Sequence, residues 1–245
     1  MRNAFSEALY EAALEDERVC IVVADISPAG SMADFQRDHS DRFLNVGVAE
    51  QSMIGICAGM ALKGLRPFAY TIATFTLYRP FEMVRDDLCY QNLPVTVVGM
   101  GAGIVYSTLG GTHCDPLETR EMTRFCALEN NGPLYLRLGK AGEPNLTENA
   151  VEGFEFGKVR TIRKGSDVCI MAHGAIMSMA LEIADELEAG GASVSVVNVH
   201  TLKPIDREGI ARNLKNHAKV IVIEEHAPIG GLATHAKTIA WDEQA

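Results

Sequence analysis

The sequence predicts an α/β protein with two domains, each built around a doubly wound, mostly parallel sheet. Continuous apolar runs, such as residues 19–24, lack alternation and are typical of strands buried on both faces. These runs alternate with stretches of helical periodicity along the whole chain. The 245 residues, 47% of them hydrophobic, are also enough for two cores.

The first domain is assigned to residues 1–140. Its predicted helices cover residues 3–15, 51–63, 80–90 and 116–128, and its predicted strands cover residues 19–24, 43–47, 67–75, 94–99 and 134–138. The helix over 51–63 is apolar on every side, which predicts a buried helix. Its glycines would let another backbone approach closely.

A linker is predicted next, because residues 139–153 are rich in Gly, Pro, Asn and Glu and poor in apolar residues. The second domain is assigned to residues 155–245. Strands at 167–172, 193–199 and 219–224 alternate there with helices at 175–189 and 206–216. This order again predicts a mostly parallel sheet.

Composition excludes several classes of function. The net charge of −10, from 22 basic and 32 acidic residues, argues against a nucleic-acid partner. No apolar run approaches the ~18 residues of a membrane span. The six cysteines form no Cys-x-x-Cys pair, and Cys20, Cys57 and Cys169 lie in apolar stretches. We therefore expect buried thiols in a reducing cytoplasm and no metal-ligand set in this chain.

Candidate site residues follow from the rule that open α/β sheets bind ligands beyond the carboxyl ends of their strands. The rule selects Asp25, residues 45–50, residues 75–79, the glycine-rich loop 99–113 and Arg137. Glu50 is the most informative of these, because a carboxylate entering an apolar helix must be paired or neutralised. A first-turn carboxylate stabilised by the helix dipole is the structural alternative.

The other candidates are also open to two interpretations. Phe75 and Tyr78 can form an aromatic wall for a planar ligand or pack in the core. His113 can reach a ligand or lie on a surface loop. Arg137 can bind a phosphate or carboxylate, or form an ion pair at a domain interface. The glycines from 99 to 103 resemble a dinucleotide fingerprint only weakly, since no third glycine stands at the required spacing and no helix pattern follows at once.

Five motifs occur together and in order. They are FLNVGVAEQSMIG at 43–55, AGMA at 58–61, TIATFTLYRPFE at 71–82, GGTH at 110–113 and YLR at 135–137. In this combination the chain resembles the C-terminal half of a transketolase. More narrowly, it resembles the separate C-terminal subunit of a split transketolase-like enzyme. The resemblance runs from Met1 to about Ala233 and is sharpest at GVAEQ, residues 47–51.

The resemblance implies that the first domain binds the pyrimidine ring of thiamine diphosphate. Glu50 matches the glutamate that hydrogen-bonds N1′ of that ring, which helps the cofactor lose its C2 proton. Phe75 and Tyr78 match the aromatic residues lining the ring, and Asp25 matches an acidic position near the cofactor across the subunit interface. His113 matches a histidine near the substrate oxygens, and Arg137 an arginine that binds the substrate phosphate.

A partner chain is implied as well. The Gly-Asp-Gly…Asn motif that holds Mg²⁺ and the diphosphate is absent from this sequence. The resemblance therefore implies an N-terminal pyrophosphate-domain subunit, an α2β2 heterotetramer, and no activity for this chain alone. The implied reaction moves a two-carbon ketol unit from a ketose, or ketose phosphate, to an aldose.

The segment after His113 departs from the family pattern. Cys114-Asp115-Pro116 follows at once, where relatives have a helix and another strand. Loss of a central strand would expose the core of a parallel sheet. We therefore expect residues to be missing from the printed chain at this point, and an intact mass near 26.6 kDa would contradict that. The helix after Gly231 is also expected to continue further than Ala245.

Three alternatives stay open at this stage. A β-subunit of a 2-oxoacid dehydrogenase E1 component shares the layout and the glutamate, although the GGTH and FTLYR segments favour transketolase. A noncatalytic regulatory subunit could keep the same fold. A nicotinamide-binding protein would depend on the glycines from 99 to 103.

Overall fold

A computed structural model describes residues 1–26, 30–101, 116–139, 144–225 and 229–245. The chain divides into two compact units. Unit 1 contains Met1–Gly110 and Thr119–Gly142, and unit 2 contains Gly111–Glu118 and Glu143–Ala245. Each unit has its own sheet, so the predicted two-domain α/β fold is confirmed.

The sheet of unit 1 has five parallel strands in the order β2-β1-β3-β4-β5. The strands are β1 (Val19–Val23), β2 (Phe43–Asn45), β3 (Arg66–Ile72), β4 (Thr96–Met100) and β5 (Leu134–Leu138). Every residue of β1 and β4 is buried. The unalternating apolar run at 19–24 therefore marks a strand covered on both faces, as predicted.

Helices cover both faces of this sheet. They are α1 (Arg2–Glu15), α2 (Ser31–Asp38), α3 (Glu50–Leu62), α4 (Ala73–Leu77), α5 (Phe81–Met83, continued by a π-helical turn at Val84–Cys89) and α6 (Pro116–Leu128). Phe5 of α1 stacks on Tyr70 of β3 with ring centroids 5.5 Å apart. Met53 and Cys57 of α3 pack in a different cluster, with Val22, Ala69 and Val97 of the sheet. The sheet is therefore doubly wound.

Two elements differ from the prediction. Strand β3 ends at Ile72, and residues 73–77 turn into α4, where the Thr76 hydroxyl donates to the Ile72 carbonyl at 2.8 Å. Phe75 is thus on a helical turn. The expectation of a wholly buried α3 is wrong for one of its faces, whose six exposed residues are Gln51, Ser52, Gly55, Ile56, Gly59 and Leu62.

The junction between β4 and β5 is regular. Thr96 pairs with Leu134 and Met100 with Leu138 in one uninterrupted parallel register. These two strands are therefore direct neighbours in the sheet, and the segment after His113, for which missing residues were expected, lies outside the described residues.

Unit 2 has four strands in the order β6-β8-β7-β9. These are β6 (Arg160–Arg163), β7 (Val168–Ala172), β8 (Val194–Asn198) and β9 (Lys219–Ile223), with helices α7 (Met177–Ala189), α8 (Arg207–Asn216) and α9 (Leu232–Asp242). Only β6 runs antiparallel to its neighbour. The sheet is thus mostly parallel, as predicted.

In the described part of the chain, no helix combines the length and apolar character needed to cross a bilayer.

Candidate active site at the carboxyl edge of the first sheet

The parallel register brings the carboxyl ends of the unit 1 strands to one edge. Val23 at the end of β1 pairs with Asn45 at the end of β2, and Ile72 of β3 pairs with Met100 of β4. On β5, Arg137 pairs with Gly99 one step before that edge. The candidate residues that follow or end these strands therefore surround a common region, as the topological rule predicts.

Glu50 is the buried group of this region. It is the first residue of α3 and only 3% exposed. Its Oε2 accepts a hydrogen bond from Nη1 of Arg79 at 2.6 Å. The sequence left two explanations open, and both apply, because the carboxylate is paired and also lies in the first turn, where the helix dipole favours negative charge.

Arg79 connects Glu50 to an aromatic ring. The guanidinium carbon lies 5.1 Å from the centroid of the Phe75 ring, within reach of a cation–π contact. The Arg79 side chain is 44% exposed, although its partner carboxylate is buried. Glu50, Arg79 and Phe75 thus form one cluster, which we call the Glu50 cluster.

A tight turn between β2 and α3 sets the position of Glu50. Asn45 Oδ1 accepts hydrogen bonds from the backbone N–H groups of Asp25 at 3.2 Å and Gly47 at 3.0 Å. Gly47 has φ +70°, a left-handed conformation that favours glycine. Asn45 therefore fixes the ends of β1 and β2 together and starts α3 at the right place.

The aromatic candidates are at the surface. Phe75 is 39% exposed and Tyr78 is 83% exposed, so core packing is excluded for Tyr78. Both follow β3 on the helical turn that contains α4. They are available to a planar ligand in the manner proposed from the sequence.

Tyr135 lies over the end of β4. A Cβ atom at Gly99 would be 2.5 Å from the Tyr135 hydroxyl and 3.1 Å from Cα of Ala73, so only glycine leaves room there. This packing, rather than dinucleotide binding, explains Gly99. Burial raises the pKa of Tyr135, with Arg137 opposing and Tyr78 adding to the shift, so the hydroxyl stays protonated at neutral pH.

The remaining candidates from the sequence are Asp25, Arg137 and His113. Asp25 follows β1 with an exposed side chain and φ 49°. Arg137 is half-buried on β5. His113 lies outside the described residues. Among the residues that the structure describes, no group of three or more His, Cys, Asp and Glu side chains could hold a metal ion.

The Glu50 cluster offers an aminopyrimidine a carboxylate oxygen and an apolar ring face. Among the described residues, only Arg79 hydrogen-bonds the Glu50 side chain, and it engages Oε2 alone. Oε1 can therefore meet a ring nitrogen, and the half-exposed Phe75 ring offers an apolar face beside it. These residues fit the pyrimidine end of thiamine diphosphate.

Sequence reasoning missed three residues of the site. Arg79 and Asn45 lay within the inspected segments, but neither was given a role. Tyr135 was quoted only as part of a motif. Arg79 follows Tyr78 in the FTLYR segment, and a buried glutamate without a cation on its own helix was the signal that could have identified it.

Both halves of the chain match family models. Residues 1–131 match the model described as transketolase, pyrimidine binding domain, and residues 157–244 match transketolase, C-terminal domain.

Three similar proteins carry related names. A subunit of apulose-4-phosphate transketolase from Phocaeicola vulgatus is 30% identical, with 94% of this chain and 80% of that protein covered. 6-Deoxy-6-sulfo-D-fructose transketolase subunit SqwH of a Clostridium species is 32% identical, covering 96% and 79%. A solved structure, "Split gene transketolase, inactive beta4 tetramer", is 34% identical with a TM-score of 0.89 and covers 100% and 84%.

In the first of these alignments about 20 of the 251 positions have no counterpart in this chain, because 94% of its 245 residues is about 230.

Proposed function

The chain belongs to the transketolase family as a subunit of a transketolase-type enzyme, and on that premise we propose its chemical role. We propose that it supplies the pyrimidine-binding half of a thiamine diphosphate site, at which a two-carbon ketol unit passes from a ketose to an aldose. The observation that carries the proposal is the Glu50 cluster, a buried carboxylate beside a half-exposed aromatic ring.

Bound thiamine diphosphate would supply the carbanion chemistry of ketol transfer. The role of this chain would be to hold a proton between Glu50 and the pyrimidine ring. Glu50 Oε1 would share a proton with N1′ of the pyrimidine, and its burial keeps water from competing for that bond. A positioned proton of this kind is worth roughly 10²–10⁴-fold in rate.

The surrounding residues would bind and orient. Phe75 and Tyr78 would line the pyrimidine ring, and Asp25 would lie near the cofactor at the interface with a partner chain. His113 would contact substrate oxygens, and Arg137 would bind the anionic end of the substrate.

The substrate class follows from the relatives' names. One is named for a sugar phosphate and the other for a sulfo-sugar, so both names describe sugars with an anionic group. An arginine at the carboxyl edge suits either group, since guanidinium binds phosphate and related oxyanions through paired hydrogen bonds. We therefore propose an anionic ketose as the donor.

A partner subunit would complete the site. The Gly-Asp-Gly…Asn motif for Mg²⁺ and the diphosphate is absent, so the partner would hold both, in an α2β2 assembly. The exposed face of α3 supports this proposal. A Cβ atom at Gly55 or Gly59 would meet nothing within 4 Å, while Ile56 and Leu62 are 37% and 63% exposed. This face begins one residue after Glu50, and we propose that a helix of the partner subunit packs on it. The assembly is proposed to work in the cytoplasm.

The test is reconstitution with pyrophosphate-domain chains, thiamine diphosphate and Mg²⁺, followed by an assay of ketol transfer. We expect Glu50→Gln to lower kcat by about 10²–10⁴-fold. Glu82→Gln, an exposed carboxylate on α5, is the matched control and should retain activity. Turnover unchanged by Glu50→Gln would reject the catalytic role. Decarboxylation of a 2-oxo acid without ketol transfer would favour the E1 β-subunit instead.

A further inference from the structure

The ion pair at Glu50 conflicts with the role proposed for that residue. Arg79 donates to Oε2 at 2.6 Å, and arginine has only donor groups and a permanent charge. Part of the negative charge of the carboxylate is therefore directed to the guanidinium. The same charge is needed to stabilise a proton shared with the pyrimidine N1′.

The geometry allows the pair to open. Glu50 is buried and fixed in the first turn of α3, whereas 44% of the Arg79 side chain is exposed. The Phe75 ring offers the guanidinium a second contact at 5.1 Å. Arg79 can therefore release the carboxylate and remain beside the site, because cation–π attraction and solvent both stabilise its charge.

We propose that Arg79 is a gating and positioning residue for the cofactor. This inference rests on the proposed function of Glu50. In the closed arrangement Arg79 holds Oε2, so N1′ at Oε1 would meet a carboxylate whose charge is shared with the guanidinium. In the open arrangement the full charge of Glu50 is available to N1′, so the aminopyrimidine binds that arrangement more tightly. Only the fraction of open molecules binds at full affinity, so the closed pair raises the observed dissociation constant.

The expected effect is a gain in affinity when the gate is removed. A charge-assisted hydrogen bond with one half-exposed partner favours the closed arrangement by roughly tenfold. We therefore expect Arg79→Gln to bind thiamine diphosphate about tenfold more tightly. Arg79→Lys keeps the charge and should stay within about twofold of the wild type. Arg85→Gln removes an exposed charge from the same segment and should have no effect.

The experiment measures cofactor binding directly. Thiamine diphosphate with Mg²⁺ is titrated by calorimetry into the reconstituted complex of each variant. Glu50→Gln and the double variant Glu50→Gln/Arg79→Gln complete a double-mutant cycle. If Arg79 acts through Glu50, Arg79→Gln changes the affinity only when Glu50 is present. The double variant also removes both charges together, so no unpaired buried carboxylate can impair its folding.

Two outcomes would overturn the gate. Weaker binding by Arg79→Gln would show that Arg79 holds the cofactor or orients Glu50 for it. Unchanged binding would show that the pair does not compete with the cofactor. Failure of the proposed function would look different, because Glu50→Gln would then bind and turn over like the wild type whatever residue stands at 79.

Discussion

Replacing the two glycines of α3 with alanine should stabilise the free chain and weaken its binding to the partner subunit. In the double variant Gly55→Ala/Gly59→Ala, each new methyl group enters open space, because nothing lies within 4 Å of either Cβ position. Alanine in a helix interior is more stable than glycine by about 0.8–1 kcal/mol per position. The free chain should therefore gain about 1.5–2 kcal/mol.

This gain can be read as a melting temperature. For a chain of this size, 1 kcal/mol corresponds to roughly 2–4 °C, so we expect Tm to rise by about 3–8 °C. In the complex, the methyl groups would separate two helices that approach at the glycines. Overpacking of this kind costs about 1–3 kcal/mol, which would raise the dissociation constant for the partner by roughly 5- to 150-fold.

The assay pairs differential scanning calorimetry of the free chain with a titration of the partner. Gly209→Ala in α8 is the contrasting control, since its Cβ would lie 2.6 Å from Cγ2 of Val159 and should lower Tm. A stabilised α3 variant that still binds its partner at full affinity would refute the docking face. A double variant with a lower Tm would show that the Cβ positions at Gly55 and Gly59 do not lie in open space.

Two further predictions concern titratable groups outside the proposed site. Burial, with the charge of Arg160 adding to it, lowers the pKa of His200 from 6.5 to about 4. Between these pH values the unfolded chain binds one more proton than the folded chain. The free energy of unfolding should therefore fall by up to about 3 kcal/mol as the pH drops from 6.5 to 4. Urea midpoints measured against pH should fall less steeply for His200→Asn than for the wild type. Burial also raises the pKa of the Cys20, Cys126 and Cys169 thiols to about 12, and that of Cys57 still further, whereas Cys89 is exposed. In a Cys114→Ser background, a thiol reagent should label Cys89 alone before unfolding, and rapid labelling that survives Cys89→Ser would contradict the burial.

The fold was largely predictable because its signals are local. The apolar run at 19–24 and the periodic stretches along the chain identify their own strands and helices, and α6 and β5 begin and end at the predicted residues. Elements with weak signals were missed. Strand β6 is only four residues long, and α2 has a low apolar content.

The candidate site was predictable only in part, because its contacts are long-range. Glu50 could be selected from its place at the start of an apolar helix. Its cation could not, since Arg79 is 29 positions away and reaches Glu50 only after β3 has crossed the sheet. The exposed face of α3 could not be predicted for a similar reason. An apolar helix surface that packs on a second chain has the same sequence pattern as one that packs within its own chain.

That exposed face also has a consequence for the cell that makes this chain. If a partner covers Ile56 and Leu62 in the assembly, any copy synthesised in excess presents them to solvent. Uncovered apolar patches of this kind promote aggregation and are recognised by chaperones and proteases. The amount of this chain that persists should then follow the supply of the second one, so that balanced synthesis of the two becomes part of how the enzyme is maintained.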